Sequence, residues 1–346
     1  MIISQNYNGL FIMKVCFQRR DFLKLLAKLW IVVPGMSRAG VVCAADTLKL
    51  RSQPGKAQVV IAKRPGVLNS SGEVSVSLVN QMIEAGITAL TGFSEVKQAW
   101  RSLFNPEDVI GIKVNAMGGR SICTHHEVAF GVADSLVKAG IKPYNIIIWD
   151  RLTDELRKGG YQINRDKNSL RCFGTDNDYE PEPETSGSIG SCFSTIISRH
   201  CNALISIPVL KDHDLSGVSI NLKNFYGAIH NPNKYHDNGC DPYIADVNAH
   251  PYIKRKLRLI ICDALFVQYN GGPGYRPNWS CLYGGLLFSN DPVAVDQVGY
   301  QIIDEHRKNH GMKPLAVDGR VPQHIQSAAR LNLGIADPTK IETVYV

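Results

Sequence analysis

The stretch Ile205–Tyr235, ISIPVLKDHDLSGVSINLKNFYGAIHNPNKY, decides how the chain is read. It opens within an apolar run, Ala203 to Val209, long enough for one buried strand. Lys211, Asp212, His213 and Asp214 come straight after that run. Open α/β sheets bind ligands in the crevice at strand ends, so polar side chains placed there point to a site. A second polar group, Lys223 and Asn224, lies inside an otherwise apolar segment, followed by His230 and His236. Each residue alone reads equally well as a solvated loop charge. The clustering is what suggests chemistry.

Outward from this stretch, apolar runs alternate with helical spacing. Gln58–Lys63 reads as a strand, and Val74–Ala85 and Ser94–Phe104 as amphipathic helices. Val109–Val114 is a second strong strand, followed by a polar loop containing Gly118 and Gly119. Thr124 with Glu127 three residues on is a capping box opening a helix that runs to Gly140. Ile146–Trp149 is the next strand and ends in Asp150-Arg151. Beyond Cys192–Arg199, read as a helix, Leu257–Cys262 and Leu286–Phe288 read as strands. Asp291-Pro292 caps the helix Val293–Ile303, and Thr343–Val346 closes the sheet. The pattern predicts an α/β protein with a mostly parallel sheet flanked by helices, in two lobes with a crevice between them. The expected division is 45–155 for the first lobe, 156–190 for a polar insertion or linker, and 191–346 for a second lobe carrying the main cluster.

The first 44 residues read as an export leader. Gln18-Arg19-Arg20-Asp21-Phe22-Leu23-Lys24 precedes an apolar run from Leu25 to Val33 and the small-residue exit Cys43-Ala44-Ala45. Paired arginines followed by Phe-Leu-Lys resemble a twin-arginine signal, which implies a periplasmic or extracytoplasmic protein and the twin-arginine translocation machinery as a partner. The apolar run falls short of the roughly 20 residues a membrane span needs, so no span is expected in the mature chain. The leader also carries most of the basic excess. Of 38 Lys and Arg and 31 acids, it holds six and one, leaving 32 against 30. No nucleic-acid stripe remains, and no nucleic-acid partner is expected. Seven cysteines follow the leader without a CxxC pair or ferredoxin-type run, so no iron–sulfur ligand pattern is present.

Several polar sets flank the main cluster. Lys113 and Asn115 end the second strand before the Gly118-Gly119 loop and a helix start, a setting that suits an anionic cofactor group; an ordinary βα turn is the alternative. His125 and His126 begin that helix and point about 100° apart, so they do not share a metal. Asp263 ends an apolar strand ahead of Gly271, Gly272 and Gly274. Such a carboxylate orients a histidine or holds a cation, and the glycines let backbone approach a cofactor closely. His230 and Asp263 are the candidate metal ligands. His213 is the candidate acid/base, Lys211 and Lys223 are anion clamps, and Asn224 is a donor to a developing oxyanion.

At these residues the chain resembles a family of unknown function, DUF362. The resemblance rests on IGIKVN (110–115), IPVLKDH (207–213), INLKNFYG (220–227), ICDALFVQYNGGPG (261–274) and SNDPVAVD (289–296), in family order. Many members carry ferredoxin modules, whose cysteines this chain lacks. More distantly the family is similar to the nickel-pincer lactate racemase group, which uses histidine bases and a lysine-tethered nucleotide cofactor; those positions do not match this chain residue by residue. The resemblance implies a metal ion or nucleotide-type cofactor and racemase-like or redox chemistry. The leading expectation is therefore an exported enzyme acting on a small anionic molecule. The rival is a non-catalytic binding or maturation protein for an exported redox partner.

Overall fold

Apolar runs buried on both sides build one ten-stranded sheet in the computed structural model, which describes residues 55–69 and 72–346. The leader and its paired arginines lie outside the described residues. In chain order the elements begin with β1 (Ala57–Lys63), α1 (Val76–Thr91), α2 (Val96–Leu103), β2 (Ile110–Val114), α3 (His126–Lys138) and β3 (Ile146–Asp150). Next are α4 (Thr153–Lys158), β4 (Arg171–Gly174), a hairpin of β5 (Glu184–Ser186) and β6 (Ile189–Ser191), then β7 (Ala203–Ile207), β8 (Val209–His213) and β9 (Gly217–Ser219). The chain closes with α5 (Asn221–Asn224), α6 (Tyr243–Ala249), α7 (Pro251–Lys254), β10 (Leu257–Gln268), β11 (Ser280–Ser289), α8 (Pro292–Asn309), α9 (Gln323–Arg330) and β12 (Ile341–Tyr345).

The sheet runs β12-β1-β11-β10-β7-β2-β3-β4, with β8 paired to β10 and to β9. Pairing is parallel except where β11 meets β1 and β10, and where β9 meets β8. Side chains alternate between two cores. Ile147, Trp149, Leu204, Ile260 and Cys262 pack on one face with Phe225, Val295 and Val298. Ile110, Ile112, Ile146, Ile148, Ile205, Ile261 and Phe288 pack on the other with Val79, Ile83 and Val132. Burial on both faces is why these strands read as nearly continuous apolar runs.

Several expectations change. β2 and β7, assigned to different lobes, are neighbours in one sheet, as are β1 and β12, so the two-lobe division is not how the strands are shared. The segment 156–190 contributes an edge strand, β4, with Cys172 buried, because its short alternation of buried and half-buried residues suffices to pair with β3. The helix expected over Cys192–Arg199 is reduced to one wide turn at Ile196–His200. Thr124 does not cap α3; its hydroxyl donates across the sheet to the Ile207 carbonyl (2.6 Å) and accepts from the Asn115 N–H (2.9 Å). Asp291, by contrast, caps α8 as expected, accepting from the Val293 and Ala294 N–H groups with Pro292 at the first helical position.

The correction that matters most for the site concerns β7. It stops at Pro208, which has no N–H for the ladder. The chain resumes as β8 beside the far half of the twelve-residue β10, where the Asp263 N–H donates to the Pro208 carbonyl (2.8 Å). Lys211 and His213 therefore lie within a strand and not in a loop after one. Asp263 lies mid-strand and not at a strand end.

Candidate functional site

Strand alternation sorts the polar residues of β8. Lys211 and His213 point to one face and Asp212 to the other. Asp212, fully buried, accepts from Arg320 Nη1 (2.8 Å) and from the Gly272 N–H (2.9 Å). Lys211 and His213 instead line a cavity of ≈ 220 Å³ with Lys113, Asn115, Asp150, Arg151, Glu155, Lys223, Asn224 and His236. The ends of β2 and β3 form one wall, β8 another, and α5 with the loop after it a third.

The floor is an ion pair. Lys113 Nζ lies 2.5 Å from Asp150 Oδ1 and donates to the Val114 carbonyl (2.6 Å) and to Asn224 Oδ1 (3.1 Å). Asp150 also accepts from the Ala116 and Arg151 N–H groups (2.6 and 2.7 Å). Asn224 Nδ2 returns donors to the Lys113 carbonyl (3.2 Å) and Ser206 Oγ (3.0 Å), so Asn224 is a structural tie with both ends of its amide engaged. Gly227 makes this closeness possible: a Cβ there would sit 2.8 Å from both Lys113 Nζ and Asp150 Oδ1. Asp296, fully buried on α8, accepts from the Asn221 and Leu222 N–H groups and so anchors the start of α5, which carries Lys223 and Asn224. Burial pushes the Asp296 carboxyl up to about 8.

Two further amines are buried without a carboxylate. Lys211, 1% exposed, meets among the described residues only Asn115 Oδ1, at 3.3 Å. Lys223, 8% exposed, donates to His236 Nε2 (3.0 Å), reaches Cys240 Sγ at 3.8 Å and lies 4.3 Å above the Tyr226 ring. Burial pushes both amines down to about 8, against some relief from neighbouring anions. Lys113, Arg151, Lys211 and Lys223 face only two carboxylates in the cavity lining, and Asp150 is already committed to Lys113. The cavity is electropositive.

The imidazoles are held in fixed tautomers. His213 Nδ1 accepts from the Leu215 and Ser216 N–H groups (3.2 and 3.4 Å). Nδ1 is therefore an acceptor, and its 3.2 Å approach to Asp214 is not an ion pair. Burial, reinforced by Lys223, pushes the ring down to about 2, which leaves Nε2 as a neutral N–H donor. His236 has the opposite tautomer, donating from Nδ1 to the Pro232 carbonyl (3.1 Å) and accepting from Lys223 at Nε2. Glu155, on α4, has no hydrogen bond to its carboxylate among the described residues, and burial followed by the charge of Asp150 raises its pKa.

The other expected residues fall elsewhere. Asp263, 1% exposed, accepts from the backbone N–H and the Nδ1 of His125 (both 2.8 Å) and from the Leu265 N–H (3.1 Å). Burial opposes protonation of His125, but the charge and hydrogen bond of Asp263 outweigh it and raise the pKa. His125 lines a separate cavity with Cys123, His126 and Tyr275, and Asp263 sits behind it without lining either cavity. The carboxylate orients a histidine, as its position suggested, but away from Lys211. His230 is exposed and packs edge-on against Tyr179 (5.2 Å). No group of three or more His, Cys, Asp or Glu is placed to hold a metal ion among the described residues, so His230 and Asp263 have no ligand set to join. Gly118 and Gly119, both at positive φ, shape the turn before α3. Gly271 packs on Trp279, and Gly272 lies so close to β8 that a Cβ would meet the Asp212 carbonyl at 1.9 Å. The Gly274 carbonyl accepts from Gln268 (2.9 Å). Of this loop only Pro273 reaches the cavity.

Sequence reasoning passed over Asp150, Arg151 and Glu155. The strand-end rule that selected Lys113 and Asn115 applies equally to Asp150-Arg151. Glu155, one helical turn further on, carries no such signal.

Comparison with known proteins adds a family but no chemistry. No curated protein matches the chain. A crystal structure of a protein from Thermotoga maritima, from the Northeast Structural Genomics Consortium, is similar at 11% identity with a TM-score of 0.42. The match covers 68% of this chain and 59% of that one, so the chain spans less than two thirds of that protein's length. Residues 110–301, which contain β2, β3, β8 and α5, match the model described as domain of unknown function (DUF362), and the chain belongs to that family.

Proposed function

We propose that this protein is an exported enzyme that holds a small anionic molecule in the Lys211–Lys223 cavity and moves a proton on it. One observation carries the reading: two buried amines share a cavity, and neither has a carboxylate partner among the described residues. An uncompensated buried ammonium is costly, and a bound anion supplies the missing charge. Lys211 and Lys223 clamp that anion. His213 donates from Nε2, in place of the acid/base role its residue type suggested, because a ring pushed down to about 2 stays neutral at physiological pH. Proton transfer falls to Glu155, whose carboxylate faces the cavity without a hydrogen-bond partner and whose raised pKa moves it towards working pH. This suits abstraction of a proton beside a carboxylate, the racemase-like alternative in the family resemblance. Among the described residues no group of three or more His, Cys, Asp or Glu is placed to hold a metal ion. The basic, apolar and small-residue order of the leader supports export through the twin-arginine route.

The test is exchange of the α-hydrogen of lactate, malate and glycerate in D₂O, followed by proton NMR with the full chain, E155Q and K211M. Deuterium incorporation by the wild type that is lost in E155Q supports the reading. Equal incorporation in E155Q removes Glu155 from the chemistry, and no incorporation of any of the three by the wild type removes proton transfer on small hydroxy acids.

A further inference from the structure

Arg151 is the one cation of the cavity that the anion-clamp reading leaves unused. It follows Asp150 at the end of β3 and lines the cavity beside Glu155. Its Nε is buried and makes no hydrogen bond, and no carboxylate pairs with its guanidinium among the described residues. A guanidinium presents Nε–H and Nη–H as a fork that matches two oxygens of one carboxylate or phosphate. Nε is shielded from solvent, so a ligand oxygen in the cavity would meet the guanidinium through its Nη groups, which have no hydrogen-bond partner among the described residues. The charges agree with this. Lys113 is neutralised by Asp150, leaving Arg151, Lys211 and Lys223 against Glu155 alone. When Glu155 is ionised, that set is matched by two negative charges and not by one. A volume of ≈ 220 Å³ is at the small end for ligand cavities, which suits a small molecule.

We infer that the cavity selects a small dianion, a short dicarboxylate or a phosphate-bearing molecule, with Arg151 engaging the second negative charge. The inference rests on the anion-clamp reading and extends it to substrate class.

Isothermal titration of the full chain at constant ionic strength tests it, with succinate, inorganic phosphate and the single-charge control butyrate, on the wild type, R151M and K211M. An extra charge-assisted hydrogen bond is worth roughly a factor of ten or more in affinity, so succinate or phosphate should bind at least about tenfold tighter than butyrate. R151M should weaken succinate and phosphate binding more than it weakens butyrate binding, so that the dianion advantage is lost. Arg151 makes no side-chain hydrogen bond among the described residues, so R151M is expected to melt with the wild type, and a thermal scan checks this. Tighter succinate than phosphate indicates separated charges; the reverse indicates a phosphate head. If the wild type binds butyrate as tightly as both dianions, or if R151M keeps the dianion advantage, the inference is overturned while the clamp reading stands. If K211M binds every probe as the wild type does, the clamp reading itself fails.

Discussion

Replacing Lys211 by methionine should make the protein more stable at neutral pH, although Lys211 is central to the proposed site. At 1% exposure its amine is effectively out of water, and burial lowers its pKa from 10.5 to about 8. At ~1.36 kcal/mol per pH unit, holding the charged amine in the fold costs on the order of 3 kcal/mol below pH 8. The only hydrogen bond lost with the amine is the long one to Asn115, 3.3 Å, which offsets about 1 kcal/mol at most. Methionine has similar length and is apolar, so K211M should gain about 2–3 kcal/mol at pH 7. The sign with pH follows from linkage. Between pH 8 and 10.5 the unfolded chain binds more protons than the folded one, so wild-type stability from this group rises through that window. The advantage of K211M must shrink over the same window and vanish above it. Urea unfolding followed by tryptophan fluorescence at pH 7, 8, 9 and 10.5 measures the difference. Phosphate at pH 7 should stabilise the wild type more than the variant. A variant less stable than the wild type at pH 7, or a gain that persists undiminished to pH 10.5, would refute the claim that the amine is held in the fold without a counter-charge.

Two other expectations follow from the same geometry. D150N leaves the Lys113 ammonium buried without its partner and should cost roughly 3–5 kcal/mol in urea unfolding, much of it recovered in the double variant K113M/D150N. Acid should also destabilise the fold, because burial pushes His213 down to about 2 and His324 down to about 3 while the unfolded rings titrate near 6.5. Stability is then lost as pH falls below 6.5, by about 1.4 kcal/mol per pH unit for each ring, and H324L should reduce the slope between pH 6 and 4.5 by about that amount. An unchanged slope in H324L would show that this ring is not held neutral.

How much of this was legible beforehand differs from element to element. The apolar runs at 110–114, 146–150, 203–207 and 257–262 are strands because most of their residues are buried on both faces, and a doubly buried strand announces itself as a nearly continuous apolar string. The cap at Asp291-Pro292 depends on groups two and three residues away, so local sequence sufficed. Lys113, Lys211 and His213 stand out by their position after strong apolar runs, and Lys223 by lying inside an otherwise apolar segment. Lys113, Lys211, His213 and Lys223 line one cavity, and Asp263 does not. The role of His213 was out of reach, since it depends on which ring nitrogen the Leu215 and Ser216 amides occupy.

The sequence by itself determined the alternation of strands and helices, the family blocks and the residue types of a polar cluster, because each is written in neighbours a few positions apart. The tertiary structure alone decided that both halves share one sheet and that Pro208 shifts Lys211 and His213 into a new strand. It also decided that Asp263 serves His125, and that Lys211 and Lys223 lack carboxylates while Lys113 has one. These are facts about pairings across tens of residues and about the exclusion of water. No local pattern encodes them, because the cost of a buried charge exists only once the chain has closed around it.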